Sequence, residues 1–383
     1  YQTFFKILMS VKKITVQYST NRGTSIPGFV PVPQIMGNNW DNNAPGMEFI
    51  FGRQPESPSY FNRDQWLTQS TSLNTAFNQM SNKNLNINVT LEPFKDLKIR
   101  LDATRSFSAN VQSYYVYDTT ESVRDFVENS RMQMGSFSMS YITWGTAFGG
   151  SLANEKSQYF ENLKEYRYDV AQRIAGNDPR DIPIVDTTGY PEGYGPTSQY
   201  VLLPSFIAAY SGKSPDNVDL NPFPDIPLPN WRISYTGLAR IPALKEIFKS
   251  LTVNHAYISN YNIGAYTSNV RFIGDTINGK VYPSETEANR NAKGDFYPIY
   301  EMGVVSINEQ FNPLINFDMT LQNSLLARFE IKKSRSLTLS FANNQLTEVS
   351  SNEFVVGAGY RFKEVTLTFS GMGGGGGTLL IAD

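Results

Sequence analysis

The sequence predicts an all-β fold, a transmembrane antiparallel β-barrel carrying a helical, Pro-rich insertion. Strict alternation of apolar and polar residues over successive segments is the first reason, because a period of two gives each strand one greasy and one wet face. Most of the breaks between these segments are short, which reads as hairpin-linked strands in up-and-down order. Strands of this kind build either a sandwich or a membrane barrel. The coexistence of short turns with long loops favours the barrel, which places the two kinds on opposite sides. Closure would also remove the unpaired edges of such a meander.

In chain order, Phe5, Ile7 and Met9 open in strand-like alternation, so the chain reads as an internal piece of a longer polypeptide. Ile14, Val16 and Tyr18 alternate with Lys13, Thr15 and Gln17, and a Gly/Pro-rich loop from Asn21 to Pro45 follows. Met47, Phe49 and Phe51 predict a second strand. Leu85, Ile87, Val89 and Leu91 then alternate with Asn86, Asn88 and Thr90. The turn Glu92–Asp96, marked by Pro93, leads to Leu97, Ile99, Leu101 and Ala103, set against Lys98, Arg100 and Asp102.

The middle of the chain changes character. Tyr159, Leu163, Tyr166, Val170 and Ile174 recur at helical spacing within Asn154–Gly176, and Gly176, Asn177 and Pro179 stop the helix. Ser198–Tyr210 predicts a second helix ended by Gly212, and Asn221–Pro229 is a rigid Pro-rich strap before Trp231. Ile241–Ser250 predicts one or two helical turns, and Asp275–Asp295 a long polar loop.

Strands resume at Leu251, Val253 and Tyr257–Ile263. Ile315, Phe317, Met319 and Leu321 form the next apolar set, and Leu325, Ala327, Phe329 and Ile331 the one after it. Lys333–Ser336 is expected as a short turn before Leu337, Leu339 and Phe341. Phe354–Phe362 and Val365–Phe369 follow, and the glycine run Gly373–Gly377 is expected as a loop tip or disordered segment. These signals divide the chain into hairpins over 1–109, a loop and helical insertion over 110–250, hairpins over 251–370, and a Gly-rich tail over 371–383.

Charge fixes which way the strands turn. If the greasy faces meet lipid, Arg328, Glu330 and Lys332 point into the lumen with Lys98, Arg100 and Asp102. The lipid-facing set is then Leu85, Ile87, Val89, Leu91, Ile315, Phe317, Met319, Leu321, Phe329 and Ile331. Turning such a strand over would cost roughly 2–4 kcal/mol for each basic residue near the bilayer midplane.

Composition excludes several classes. A net charge of −2 gives no footprint for nucleic acid. The chain has no cysteine and one histidine, which removes disulfides, thiolate chemistry and a tetrahedral zinc site. No run of about 18 apolar residues exists, so no transmembrane helix is expected. A mean hydropathy of −0.34 is compatible with a barrel whose alternate residues face water. The 22 Tyr and 25 Phe suit an aromatic girdle, although a carbohydrate-binding surface is also Tyr-rich.

No catalytic, cofactor or metal site is expected. His255 lies in an alternating run without a nucleophile or orienting carboxylate, and reads as a strand residue facing the lumen or an interface. Asp178, Asp181 and Asp186 lack calcium-loop spacing and read as a solvated loop. Glu161 and Glu165, beside Lys164 and Arg167, read as a solvated helix face. Gly373–Gly377 lacks the Lys-Ser/Thr ending of a phosphate loop. A non-enzyme is expected.

Six stretches carry a family resemblance: TSIPGFVP (Thr24–Pro31), APGMEFIFG (Ala44–Gly52), LEPFKDLKIRLDA (Leu91–Ala103), NPFPDIPLPNWRISYTGL (Asn221–Leu238), KKSRSLTLSFANNQLTE (Lys332–Glu348) and FVVGAGYRFK (Phe354–Lys363). The Pro-rich strap ending in Pro-Asn-Trp-Arg is the most specific. In this order they resemble the SprA/Sov family, the giant outer-membrane translocon barrel of the type 9 secretion system in Bacteroidota. The resemblance implies a segment of a very large barrel that conducts folded cargo with C-terminal sorting domains to the cell surface. In gliding members that cargo includes motility adhesins. It implies as partners a PorV-type shuttle barrel at a lateral opening, a periplasmic plug protein, the cargo and outer-membrane lipid. The 110–250 insertion would then be part of a cap or gate. A porin or TonB-dependent receptor, and a soluble Tyr-rich sandwich adhesin, are the competing readings.

Overall fold

The computed structural model describes residues 10–55, 57–63, 66–120, 124–148, 157–185, 187–362, 365–369 and 377–381. The expected strand around Phe5–Met9, Asp186 and most of the glycine run lie outside them. In chain order the elements are β1 (Val11–Ser25), α1 (Met47–Ile50), β2 (Phe77–Leu91), β3 (Leu97–Asp118), β4 (Asp125–Ser140), α2 (Gln158–Gly176), α3 (Gln199–Ser211), β5 (Asn230–Tyr235), α4 (Pro242–Lys245) and β6 (Phe248–Ser268). Then come β7 (Gly274–Ile277), β8 (Lys280–Pro283), β9 (Tyr300–Met302), β10 (Val304–Leu321), β11 (Leu325–Ser340), β12 (Gln345–Tyr360), β13 (Val365–Phe369) and β14 (Gly377–Ile381).

One antiparallel sheet of ten strands dominates the molecule, in the order β1-β2-β3-β4-β6-β10-β11-β12. Its strands are long, 22 residues in β3 and 21 in β6. The short β5 lies in line with β4, pairing with the lower part of β3 and with β6. Arg105 of β3 faces Met139 of β4, while Asp102 of the same strand faces Asn230 of β5. β4 and β5 are therefore two halves of one strand position, interrupted at Ala103. The chain leaves the sheet after Ser140 and re-enters it at Asn230. Three bonds close the gap: Leu228 N donates to Ser140 O (3.1 Å), Ser140 Oγ to Leu228 O (2.7 Å) and Thr104 N to Ser140 Oγ (3.0 Å).

The excursion carries the helices. α3 is apolar on every side, so it is buried from Val201 to Tyr210. It ends where Gly212 adopts a left-handed φ of 74°. α2 offers Leu163, Val170 and Ala171 to the same core. That core continues into the sheet through Phe137, Met139, Tyr261, Ile263, Val305, Ile307, Leu337 and Leu339. A second, aromatic cluster of Phe61, Trp66, Leu67, Phe77 and Tyr115 ties the β1–β2 loop to the same end of the sheet.

Three expectations are corrected. Met47–Phe51 is not a strand: Met47–Ile50 forms a helical turn after Gly46, whose φ is 91°, and Phe49 packs edge-on against Phe61. Lys333–Ser336 is not a turn but the middle of β11, paired residue by residue with β12. The 110–250 stretch is not one loop, since it contains the end of β3, all of β4 and β5, and the start of β6. The helical layer is confined between Ser140 and Asn230. The expected loop Asp275–Asp295 holds the small ribbon β7–β8. Of the helical turns expected over Ile241–Ser250, Pro242–Lys245 forms one, while residues 248–250 already belong to β6; a further turn, Gly237–Arg240, precedes that range.

That loop meets the helical layer through Asp295, whose buried carboxylate accepts hydrogen bonds from Gly195 N (2.9 Å) and Thr197 Oγ1 (3.0 Å). Burial pushes its pKa above the ordinary 3.8, and the hydrogen bonds oppose the rise without cancelling it. The native state thus holds the proton more tightly than the unfolded chain. Its stabilising effect is complete below the unfolded value and is lost as pH rises through the folded one. Hydrogen exchange over 193–199 and 289–297, corrected for intrinsic rates, is expected to show protection falling as pH rises above about 4. In Asp295→Asn the pH dependence should vanish; protection that instead rises with pH would contradict the assignment.

Candidate functional site

The two faces of the sheet differ along their whole length. Register places Lys98, Arg100, Asp102, Arg328, Glu330 and Lys332 on one face, through the pairs Arg100–Arg232, Asn254–Asn316, Asp318–Arg328 and Asn316–Glu330. This face is mainly polar, with Met80, Ala256, Ile258, Leu326 and Val355 interspersed. Ser106 donates to Asn84 (2.7 Å), Ser138 to Asn262 (2.6 Å) and Ser336 to Asn308 (2.8 Å), each across neighbouring strands. Arg328 pairs with Glu330 (2.8 Å) and Lys332 with Glu353 (3.0 Å). Small hydroxyls and amides opposite one another satisfy each other sideways and still leave the face open to water.

The opposite face is stratified. At the end bearing the short turns Glu92–Asp96 and Gln322–Ser324 lies an apolar band. It comprises Leu85, Ile87, Val89 and Leu91 on β2, Leu97, Ile99 and Leu101 on β3, Ile315, Phe317, Met319 and Leu321 on β10, and Phe329 and Ile331 on β11. Ile14 and Val16 extend it onto β1, and Phe354 and Val356 onto β12. The band is most open at its outer strands, where Ile14 is 61% exposed and Val356 78%, and is buried at Leu251 of β6, opposite Met319. All ten residues predicted to share a greasy face are in this band.

Above the band runs a cross-strand row, Trp231–Tyr257–Phe311–Lys333. Trp231 stacks on Tyr257 at 4.4 Å and Tyr257 meets Phe311 at 5.0 Å. Beside it, three residues of β10, Asn312, Pro313 and Leu314, stand opposite the single Lys332. A proline cannot donate to the ladder, so a bulge forms there. Because the excess is two residues, the side-chain phase survives the bulge. His255 lies on this apolar face, half-buried against Trp231 and Phe311, its Nδ1 2.6 Å from Leu314 O.

One row further up, the apolar phase is broken by charge. Glu309 and Arg335 are directly paired at 2.8 Å, with side chains 2% and 4% exposed. The segment leaving β4 covers them. Thr143 Oγ1 and Tyr257 OH both donate to Glu309 Oε1 at 2.7 Å. Arg335 donates to Thr146 O (2.9 Å) and to Thr146 Oγ1 (2.7 Å), and Thr146 Oγ1 donates on to Tyr210 O (2.6 Å) at the end of α3. Two buried charges thus clamp the root of the insertion to the sheet.

Above the clamp sits the helical layer. It lies on the apolar-band side, away from the polar face, which sequence reading did not anticipate. Sequence reading also missed the clamp. Its signal was present: Glu309 is in phase with Val305, Ile307 and Phe311, and Arg335 with Leu337 and Leu339.

Among the remaining candidates, Asp178 is bound by Arg180 (2.6 Å). Burial opposes its ionisation, but hydrogen bonds and charge from Arg180 prevail and lower its pKa. Glu161 pairs with Lys164 (3.0 Å) on the partly exposed side of α2. Among the described residues no three His, Asp or Glu side chains converge as metal ligands, and no helix is long and apolar enough to cross a membrane. No protein-family model and no curated protein matches the chain.

Proposed function

We propose that this sheet is a segment of the wall of a very large outer-membrane β-barrel, the protein-conducting channel of a type 9 secretion system. The largely open apolar band opposite a mainly polar face carries this reading. Each strand contributes roughly seven residues to the band, about 24 Å along the strand at ~3.4 Å per residue and about 18 Å in height at a barrel's ~40° tilt; with the aromatic row above it, the band approaches the ~25 Å apolar belt of outer-membrane barrels. A contiguous greasy surface of that extent is unusual on a water-soluble monomer. Here acyl chains cover it, and the polar face lines a water-filled lumen.

Barrel diameter grows with strand number, so a lumen that passes folded cargo requires many strands beyond these. The channel assignment rests on the likeness to the SprA/Sov family, as do its partners: a PorV-type shuttle barrel at a lateral opening, a periplasmic plug and cargo with a C-terminal sorting domain. In this arrangement the helical layer stands outside the wall. It does not block the lumen, and closure falls to a plug or another part of the chain.

Two measurements test the proposal together. Detergent-solubilised protein imaged by electron microscopy is expected to form a ring wide enough for a folded domain. Depleting the protein is expected to leave sorting-domain cargo in the periplasm. Release by salt without detergent would overturn the barrel; a narrow ring with undisturbed secretion would overturn the translocon.

A further inference from the structure

The row above the apolar band has a second storey. Trp144 and Phe148, from the segment that leaves β4, sit on it: Trp144 edge-on to Trp231 (5.8 Å) and Phe148 against Phe311 (5.1 Å). Both stay more than half exposed, at 57% and 55%. Lys333 Nζ lies 4.7 Å from the centre of the Phe148 ring and makes no ion pair among the described residues. Large aromatic side chains left in the open beside a free cation, at the edge of an apolar band, are costly in plain water. At a bilayer surface each finds its preferred surroundings: rings at headgroup depth and an ammonium beside phosphate.

We propose that Trp144, Phe148 and Lys333 form an interfacial anchor that binds the phosphate-bearing headgroups of anionic lipid where the split strand leaves the sheet. The proposal rests on the membrane reading above and places the bilayer boundary on this row. The helical layer then lies against the outer surface of the wall, just clear of the bilayer. The aromatic pair takes the upper acyl chains just beneath the headgroups, and Lys333 takes the phosphate.

This chain has no cysteine, so once any cysteine elsewhere in the protein is replaced, a single-label test is direct. Trp144→Cys, Val356→Cys and Tyr168→Cys, each in the full protein, would carry a fluorophore in phosphatidylcholine vesicles brominated either near the headgroup or deep in the acyl chain. Quenching at position 144 is expected from shallow bromine, at 356 from deep bromine, and at 168 from neither. A label at 144 that is unquenched while 356 is quenched overturns the anchor and leaves the membrane wall standing. If 356 is unquenched as well, the wall itself fails. With phosphatidylglycerol added, Lys333→Met is expected to weaken retention of that lipid, read by native mass spectrometry, about fivefold, the equivalent of the ~1 kcal/mol of one basic residue near an anionic surface. Unchanged retention would overturn the phosphate contact.

Discussion

Replacing Arg335 by methionine is expected to detach the helical layer from the sheet. The substitution removes the only cation facing Glu309 among the described residues, leaving a carboxylate buried beneath Thr143 and Tyr257. Breaking a buried pair in this way costs about 3–5 kcal/mol, because the remaining charge has lost both water and partner. It also leaves Thr146 without the two hydrogen bonds that tie it to β11. The expected readout is rapid proteolysis within 157–229 under conditions where the wild-type chain resists, with a lower temperature of heat modification on gels. Replacing both residues, Glu309→Met with Arg335→Met, is expected to recover much of the loss, since an apolar pair fits a site bounded by Phe311 and Leu337. If the single and double variants prove equally damaged, the pair is not what holds the insertion.

The second large effect concerns the apolar band. Phe329 stands between Phe317 and Val356, near the middle of the band. Phe329→Arg is expected to lower stability by roughly 2–4 kcal/mol, the cost of a basic residue near the bilayer midplane, and to cut recovery of the protein in the membrane fraction. Thr320, nearby on β10 with its side chain on the polar face, provides the contrast. Thr320→Arg would add a charge among Asp318 and Arg328 with water at hand, and should be nearly silent. Equal tolerance of arginine at both positions would mean that the band does not meet lipid.

Much of this architecture is legible from period-two alternation. The pairs flanking Glu92–Asp96, the apolar sets of β10 and β11, and the six charged residues that share a face all follow from counting every second residue. Both helices are legible from spacing and from the glycines that end them. Other features were misread for identifiable reasons. Met47–Phe51 alternates over only three apolar residues, too few to distinguish a strand from a helical turn buried by Phe61. Lys333–Ser336 resembles a turn because it is polar. Yet Lys333 and Arg335 keep the apolar phase, and only the partners Phe311 and Glu309 on β10 explain why charge belongs there.

Local side-chain chemistry alone was enough to dictate that this chain forms long antiparallel strands with one oily and one wet side, because alternation acts within each strand and needs no neighbour. Where those sides go required the fold. A strand position divided between β4 and β5, the return of the chain after an excursion through two helices, and the burial of Glu309 against Arg335 all depend on contacts between residues far apart in sequence. Such contacts leave only faint local traces: a charge in an apolar phase, or a proline within a ladder. The side of the sheet that the helices cover was decided by which apolar rows remained to be buried above the clamp.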